Sequence, residues 1–246
     1  ARGETLLRLN SYNDAVVAFD KALELDPHNA HAAFGRGQAL SAVGHDEEAV
    51  IAYEQALSLD STLSDAAYNK GLALYRIGRY PDALKAFDYT LESVPGHALA
   101  HYYKGLVLNA TGKYEKAIRS FNQALTCDSS ITDAIYQTGI SYASLGKHEK
   151  ALGAFEKTLE RTPNSATVLY TRALSLVKLL RFDEALQALE ASLNLENTHA
   201  DVWLLKGSVL FEMGRVPEAL ESFERAISLE PDNNTAWYRK GKSYFF

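Results

Sequence analysis

Shifted against itself by 34 residues, or by multiples of 34, the chain aligns without gaps. GLALYRIGRYPDALKAFDYTLESVP, GLVLNATGKYEKAIRSFNQALTCDS and GSVLFEMGRVPEALESFERAISLEP fall on one another in this way. With phase 1 set at Ala30, full repeats occupy 30–63, 64–97, 98–131, 132–165, 166–199 and 200–233, and residues 1–29 and 234–246 are parts of two more. A unit this short cannot bury an apolar face alone, so its copies must stack, each touching its neighbours.

Residue sizes recur with the period. A small residue holds phase 8: Gly3, Gly37, Gly71, Gly105, Gly139, Ala173, Gly207 and Gly241. Alanine holds phase 20 at Ala15, Ala49, Ala83, Ala117, Ala151, Ala185 and Ala219. Phase 24 is large: Phe19, Tyr53, Phe87, Phe121, Phe155, Leu189 and Phe223. A glycine inside a helix costs about 1 kcal/mol relative to alanine, so its recurrence at one phase needs a compensating gain. Close approach of two helices, with the large residue as knob and the glycine as hole, supplies it.

Helix ends are equally regular. Gly44, Gly78, Gly112, Gly146 and Gly214 stop a first helix, because glycine tolerates the left-handed conformation that closes a C-terminus. Pro81, Pro217 or acids such as Glu47, Glu115 and Asp183 open the second, which ends near Pro27, Pro95, Pro163 and Pro231. Each repeat is therefore a pair of antiparallel helices of ordinary length, about 12–14 residues.

Glycine at phase 8, alanine at 20, an aromatic at 24, alanine at 27 (Ala22, Ala56, Ala124, Ala226) and proline at 32 together resemble the tetratricopeptide repeat. The resemblance covers the whole chain. It implies an all-α fold, a right-handed superhelical solenoid (α-α superhelix) whose first helices line a concave groove for peptides or partner proteins. Three departures stand out. Proline at phase 32 alternates with Ser61, Ser129 and Asn197, as if a two-repeat unit had been duplicated. Phase 7 is basic (Arg2, Arg36, Lys70, Lys104, Arg172, Lys206, Lys240) where the family often has leucine. Repeat 166–199 carries Ala173, Leu180, Leu189 and Ser192 at signature phases, and Leu180 predicts a turn that is irregular or strained.

The groove-facing phases follow from the helical period. Phase 5 supplies Phe34, Tyr68, Tyr102, Tyr136, Tyr170, Leu204 and Tyr238, and phase 9 supplies Gln38, Leu72, Leu106, Ile140, Leu174, Ser208 and Lys242. The candidate partner-binding residues are Phe34, Tyr68, Leu72, Tyr102, Leu106, Tyr136, Ile140, Tyr170, Leu174 and Tyr238. Tyrosine suits binding, with a rigid apolar face, a polar tip and little rotamer entropy to lose. The same rings equally suit packing between neighbouring helices, and the two readings stay open. In some members of the family Lys and Asn at phases 5 and 9 grip a C-terminal carboxylate. No repeat here has that Lys and Asn pair, phases 5 and 9 being mostly apolar, and phase 6 (Gly35, Asn69, Tyr103, Gln137, Thr171, Leu205, Arg239) carries no asparagine ladder. The basic row at phase 7 points away from the groove; it could meet an acidic partner on another face, but its long stems fit better running from a helix seam to water, with their nearest acids inside the array.

Composition narrows the function classes. A formal net charge of -6 disfavours nucleic acid as a partner. No stretch is long and apolar enough to span a membrane, and a cytoplasmic location is expected. The one cysteine, Cys127, reads as a small apolar filler. His97 and His101 share a helix face without a third ligand, and no Walker, GxSxG or HExxH motif occurs, so neither a metal, a cofactor nor catalysis is expected. What remains is a protein-interaction scaffold, the recruitment arm of a larger enzyme or signalling protein, or a self-associating array. The final SYFF, ending in Phe245 and Phe246 without the rest of their repeat, suggests a fragment or covered ends.

Overall fold

A computed structural model describes residues 2–245, and every regular element among them is a helix. Ala1 and Phe246, and with them part of the expectation about the chain ends, lie outside the described residues. The chain divides into two compact units, 1–130 and 131–246. The first holds α1 (Arg2–Arg8), α2 (Tyr12–Leu25), α3 (Ala30–Ala42), α4 (Asp46–Leu59), α5 (Ser64–Arg76), α6 (Tyr80–Ser93), α7 (Ala98–Ala110) and α8 (Tyr114–Cys127). The second holds α9 (Thr132–Ser144), α10 (His148–Arg161), α11 (Ala166–Lys178), α12 (Phe182–Leu195), α13 (Ala200–Glu212), α14 (Val216–Leu229) and α15 (Asn234–Ser243). Within each unit every helix packs on the one before it, and α3 also meets α1 and α5.

The core is the knob and hole of the sequence pattern. A Cβ added at Gly37 would stand 2.5 Å from the Tyr53 ring, at Gly71 2.6 Å from Phe87, at Gly105 2.5 Å from Phe121, and at Gly207 2.6 Å from Phe223. Those distances leave no room for a methyl group, so the ring lies against bare backbone and is sealed from water. Tyr53, Phe87, Phe121, Phe155 and Phe223 are accordingly fully buried. In repeat 166–199 both members change: Ala173 fills the hole, Leu189 shortens the knob, and both are buried.

Glycines at the end of the first helices are left-handed, with φ from 71° at Gly146 to 83° at Gly44. Behind each, an N–H reaches back to close the turn, as His45 N–H does to the Leu40 carbonyl at 3.0 Å. Leu180 corrects the expectation of an irregular turn. Its φ is 60°, and the Arg181 N–H donates to the Leu176 carbonyl at 3.0 Å, the same bond in the same place. The outcome is strain rather than a different turn, because the flanking helices dictate the backbone. Asn10, φ 58°, holds the equivalent position ahead of α2 at lower cost. Leu180 is 73% exposed, so Leu180→Gly removes strain and little packing. It is expected to stabilise the second unit by about 1 kcal/mol, read as a raised urea midpoint at unchanged slope; an unchanged or lowered midpoint contradicts it.

The basic row finds its acids within the array. In the first unit Arg36 pairs with Asp20 at 2.5 Å, Lys70 with Glu54 at 2.8 Å and Lys104 with Asp88 at 2.5 Å. In the second, Arg172 meets Glu156 at 3.7 Å, Lys206 meets Glu190 at 3.2 Å and Lys240 meets Glu224 at 2.9 Å. Each ties a first helix to the second helix of the preceding repeat, and each, being partly exposed, is worth at most about 1 kcal/mol. A more enclosed pair links α4 to α5: Arg76 grips Asp46 through both carboxylate oxygens, at 2.6 and 2.8 Å. Ser41 adds a third bond to that carboxylate, and the Arg76 guanidinium holds it below the usual carboxylate range.

Candidate functional face

In the first unit, α3, α5 and α7 carry Phe34, Tyr68, Leu72, Tyr102 and Leu106, all half-buried. Each phase-5 ring leans on the core ring of its own repeat: Phe34 on Tyr53 at 6.0 Å, Tyr68 on Phe87 at 6.2 Å and Tyr102 on Phe121 at 5.9 Å. These side chains therefore pack at one edge and face outward at the other. Burial, with Tyr103 alongside, pushes the Tyr68 hydroxyl up to about 12. Leu99, also on α7, is 45% exposed.

The sequence reading missed how far this aromatic surface extends. Tyr103 lies 6.3 Å from Tyr68, 6.0 Å from Tyr75 and 5.3 Å from Tyr102, and the His97 ring is 4.6 Å from Tyr68. Tyr103 was visible at phase 6, next in line to the phase-5 row. Leu99 was visible at phase 2, which the helical period places beside phase 5.

In the second unit Tyr136 repeats the pattern, 5.9 Å from Phe155, with its hydroxyl 3.2 Å from that of Thr171. Ile140 packs beside it against the same core. Tyr170 is half-buried, and burial raises its hydroxyl, with Asp201 adding a smaller push. Leu174 is 38% exposed and Tyr238 72%. The candidate residues thus form a half-buried row in each unit, with Leu99, Leu174 and Tyr238 its outward members.

The two histidines serve the backbone. His97 Nδ1 accepts the Ala100 N–H at 3.1 Å and caps α7, while His101 Nε2 lies 2.9 Å from the Pro95 carbonyl. Cys127 is exposed, which corrects its reading as a buried filler. No helix among the described residues is long and apolar enough to cross a membrane.

The tetratricopeptide repeat family model matches residues 1–64 and 68–130, half of the chain, and a second model of the same repeat matches 133–165. The chain belongs to the tetratricopeptide repeat family. A model described as anaphase-promoting complex, cyclosome, subunit 3 matches 150–226 of this repeat protein. No curated protein matches it. Among solved structures, the C-terminal part of a TPR repeat-containing protein from Cytophaga hutchinsonii superposes with a TM-score of 0.82 at 17% identity, over 97% of this chain and 98% of that one. PilF of Pseudomonas aeruginosa gives 0.71 at 19% identity, over 87% and 97%. YrrB, described as a TPR protein with an unusual peptide-binding site, gives 0.66 at 24% identity, over 77% and 97%. These likenesses establish the fold class expected from the sequence, an all-α helical repeat of the superhelical kind, and this repeat family is one of interaction scaffolds.

Proposed function

We propose that this repeat protein is a non-catalytic scaffold that holds a peptide or partner protein along the first-helix face of each unit. The observation that carries the proposal is the row just described. Leu99, Leu174 and Tyr238 stand exposed at the edge of half-buried tyrosines whose rings are already fixed by the core. A rigid aromatic surface loses little entropy on binding, and exposed leucines beside it gain on being covered. The peptide-binding site described for YrrB supports the same reading by analogy. Because Tyr68, Tyr102 and Tyr136 also pack against the core, their removal would confuse binding with folding; the exposed leucines are the cleaner probes.

Peptides selected from a displayed library against the whole chain are expected to lose about tenfold in affinity or more on the double substitution Leu99→Gln and Leu174→Gln, measured by calorimetry. The thermal midpoint should hold, since both side chains are exposed and glutamine keeps the helix. Ile51, 63% exposed on the second helix α4, is the control. If Ile51→Gln weakens binding and the leucine pair does not, the partner lies on the opposite face and the proposal fails.

A further inference from the structure

The second-helix side carries a charge anomaly. At the start of four second helices a basic residue pairs with an acid three positions on: His45 with Glu48 at 3.2 Å, Arg79 with Asp82 at 2.6 Å, Arg181 with Glu184 at 2.7 Å and Arg215 with Glu218 at 2.6 Å. Helix α8 departs from this pairing: Lys113 is followed by Lys116, as Lys147 is by Lys150 in α10, but α8 adds Arg119 one turn later where α10 has Gly153. Lysine in the first turn meets the positive end of the helix dipole, an unfavourable placement that the acids Glu48, Asp82, Glu184 and Glu218 avoid. None of Lys113, Lys116 and Arg119 has an acidic partner among the described residues; the Arg119 Nε donates only to the Glu115 carbonyl, at 3.5 Å.

These cations line a cleft of about 380 Å³ in the first unit, between α6 and α8 and above α7. Lys104 joins them, and its partner Asp88 is the one acid in the wall, so four cations face one carboxylate in a chain of net charge -6. Leu84 and Leu108 also line the cleft, giving it apolar wall as well as charge.

We propose that this cleft is a second docking site, separate from the first-helix face, for an acidic peptide segment that sets carboxylates against Lys113, Lys116 and Arg119 and an apolar side chain against Leu84 and Leu108. Charge complementarity is the argument. Unpaired cations held together repel one another, and carboxylates relieve that repulsion. A short segment fits better than a polynucleotide, whose evenly spaced phosphates would continue past the cleft onto a chain of opposite preference.

The test is fluorescence anisotropy on the full chain. The probe is a fluorescein-labelled peptide of glutamates and aspartates around one leucine; its glutamine and asparagine counterpart is the neutral control. The acidic probe should bind, weaken with rising salt, and lose about tenfold or more in affinity on Lys116→Glu. That substitution creates the pairing seen in α4, α6, α12 and α14, so circular dichroism should show a fold at least as stable as the parent. Leu99→Gln with Leu174→Gln should leave the acidic probe untouched, which separates failure of this site from failure of the first-helix face. Equal affinity of parent and Lys116→Glu overturns the proposal. So does equal binding of the neutral peptide, or tighter binding of a single-stranded oligonucleotide of the same charge.

Discussion

Replacing Phe87 by alanine is expected to destabilise the first unit by about 3–5 kcal/mol, the range for a buried phenylalanine. The ring is fully buried, and its loss leaves a void that the surroundings are poorly placed to fill. One wall is the bare backbone of Gly71, which has no side chain to move inward. Two others are Tyr68 and Tyr103, each 6.2 Å from the Phe87 ring and tied to further rings. Because repeats touch only their neighbours, the damage should be local. Hydrogen exchange should quicken in α5, α6 and α7 while α2 keeps more of its protection. Urea unfolding followed by circular dichroism gives the free energy. A loss below about 1 kcal/mol would mean that the notch at Gly71 relaxes around the missing ring, and the knob-and-hole account of the core would be wrong.

That account was legible in the sequence because the same pair of sizes recurs at fixed separation: a glycine that costs helix stability at one phase and an aromatic at another specify each other. Leu180 was legible only in part. Its side chain disfavours φ of 60°, and sequence alone left the turn to choose between strain and another shape. The bond from Arg181 back to Leu176, which every glycine turn also makes, decides the matter in favour of strain. The tyrosine row lies on first helices, and how far its rings also pack into the core was not readable. Phase 5 sits at the border between the packed and open faces, and only the ring distances to Tyr53, Phe87 and Phe155 show how much of each ring the core claims. The cluster around Tyr103 was hidden because it forms between phases 5 and 6 of successive repeats, a contact no single helical wheel displays. The cleft at Lys116 escaped for another reason. A net charge of -6 averages over the chain, and the excess of cations appears only when Lys104 of α7 and Lys113, Lys116 and Arg119 at α8 are seen to line one cleft.

Leu189→Phe restores the residue most repeats have, and it is nevertheless expected to destabilise the second unit by about 1–3 kcal/mol. Elsewhere the ring rests where a Cβ would come within 2.5–2.6 Å of it, as between Gly105 and Phe121 or Gly207 and Phe223. At the equivalent place this repeat has the Ala173 methyl, buried in the same core cluster as Leu189. A phenylalanine there must push into that methyl or leave its rotamer. Ala173→Gly alone should also cost about 1 kcal/mol, through helix propensity and the lost methyl contact. Made together, the two substitutions rebuild the glycine and ring of the other repeats, and the double variant should lie within about 1 kcal/mol of the parent. The double-mutant cycle on urea midpoints therefore carries a favourable coupling of about 2–4 kcal/mol, the signature of two residues sharing one space. Simple additivity would place the room around residue 189 somewhere other than against residue 173. In that case the divergence of repeat 166–199 would be two unrelated changes rather than one knob and one hole resized together.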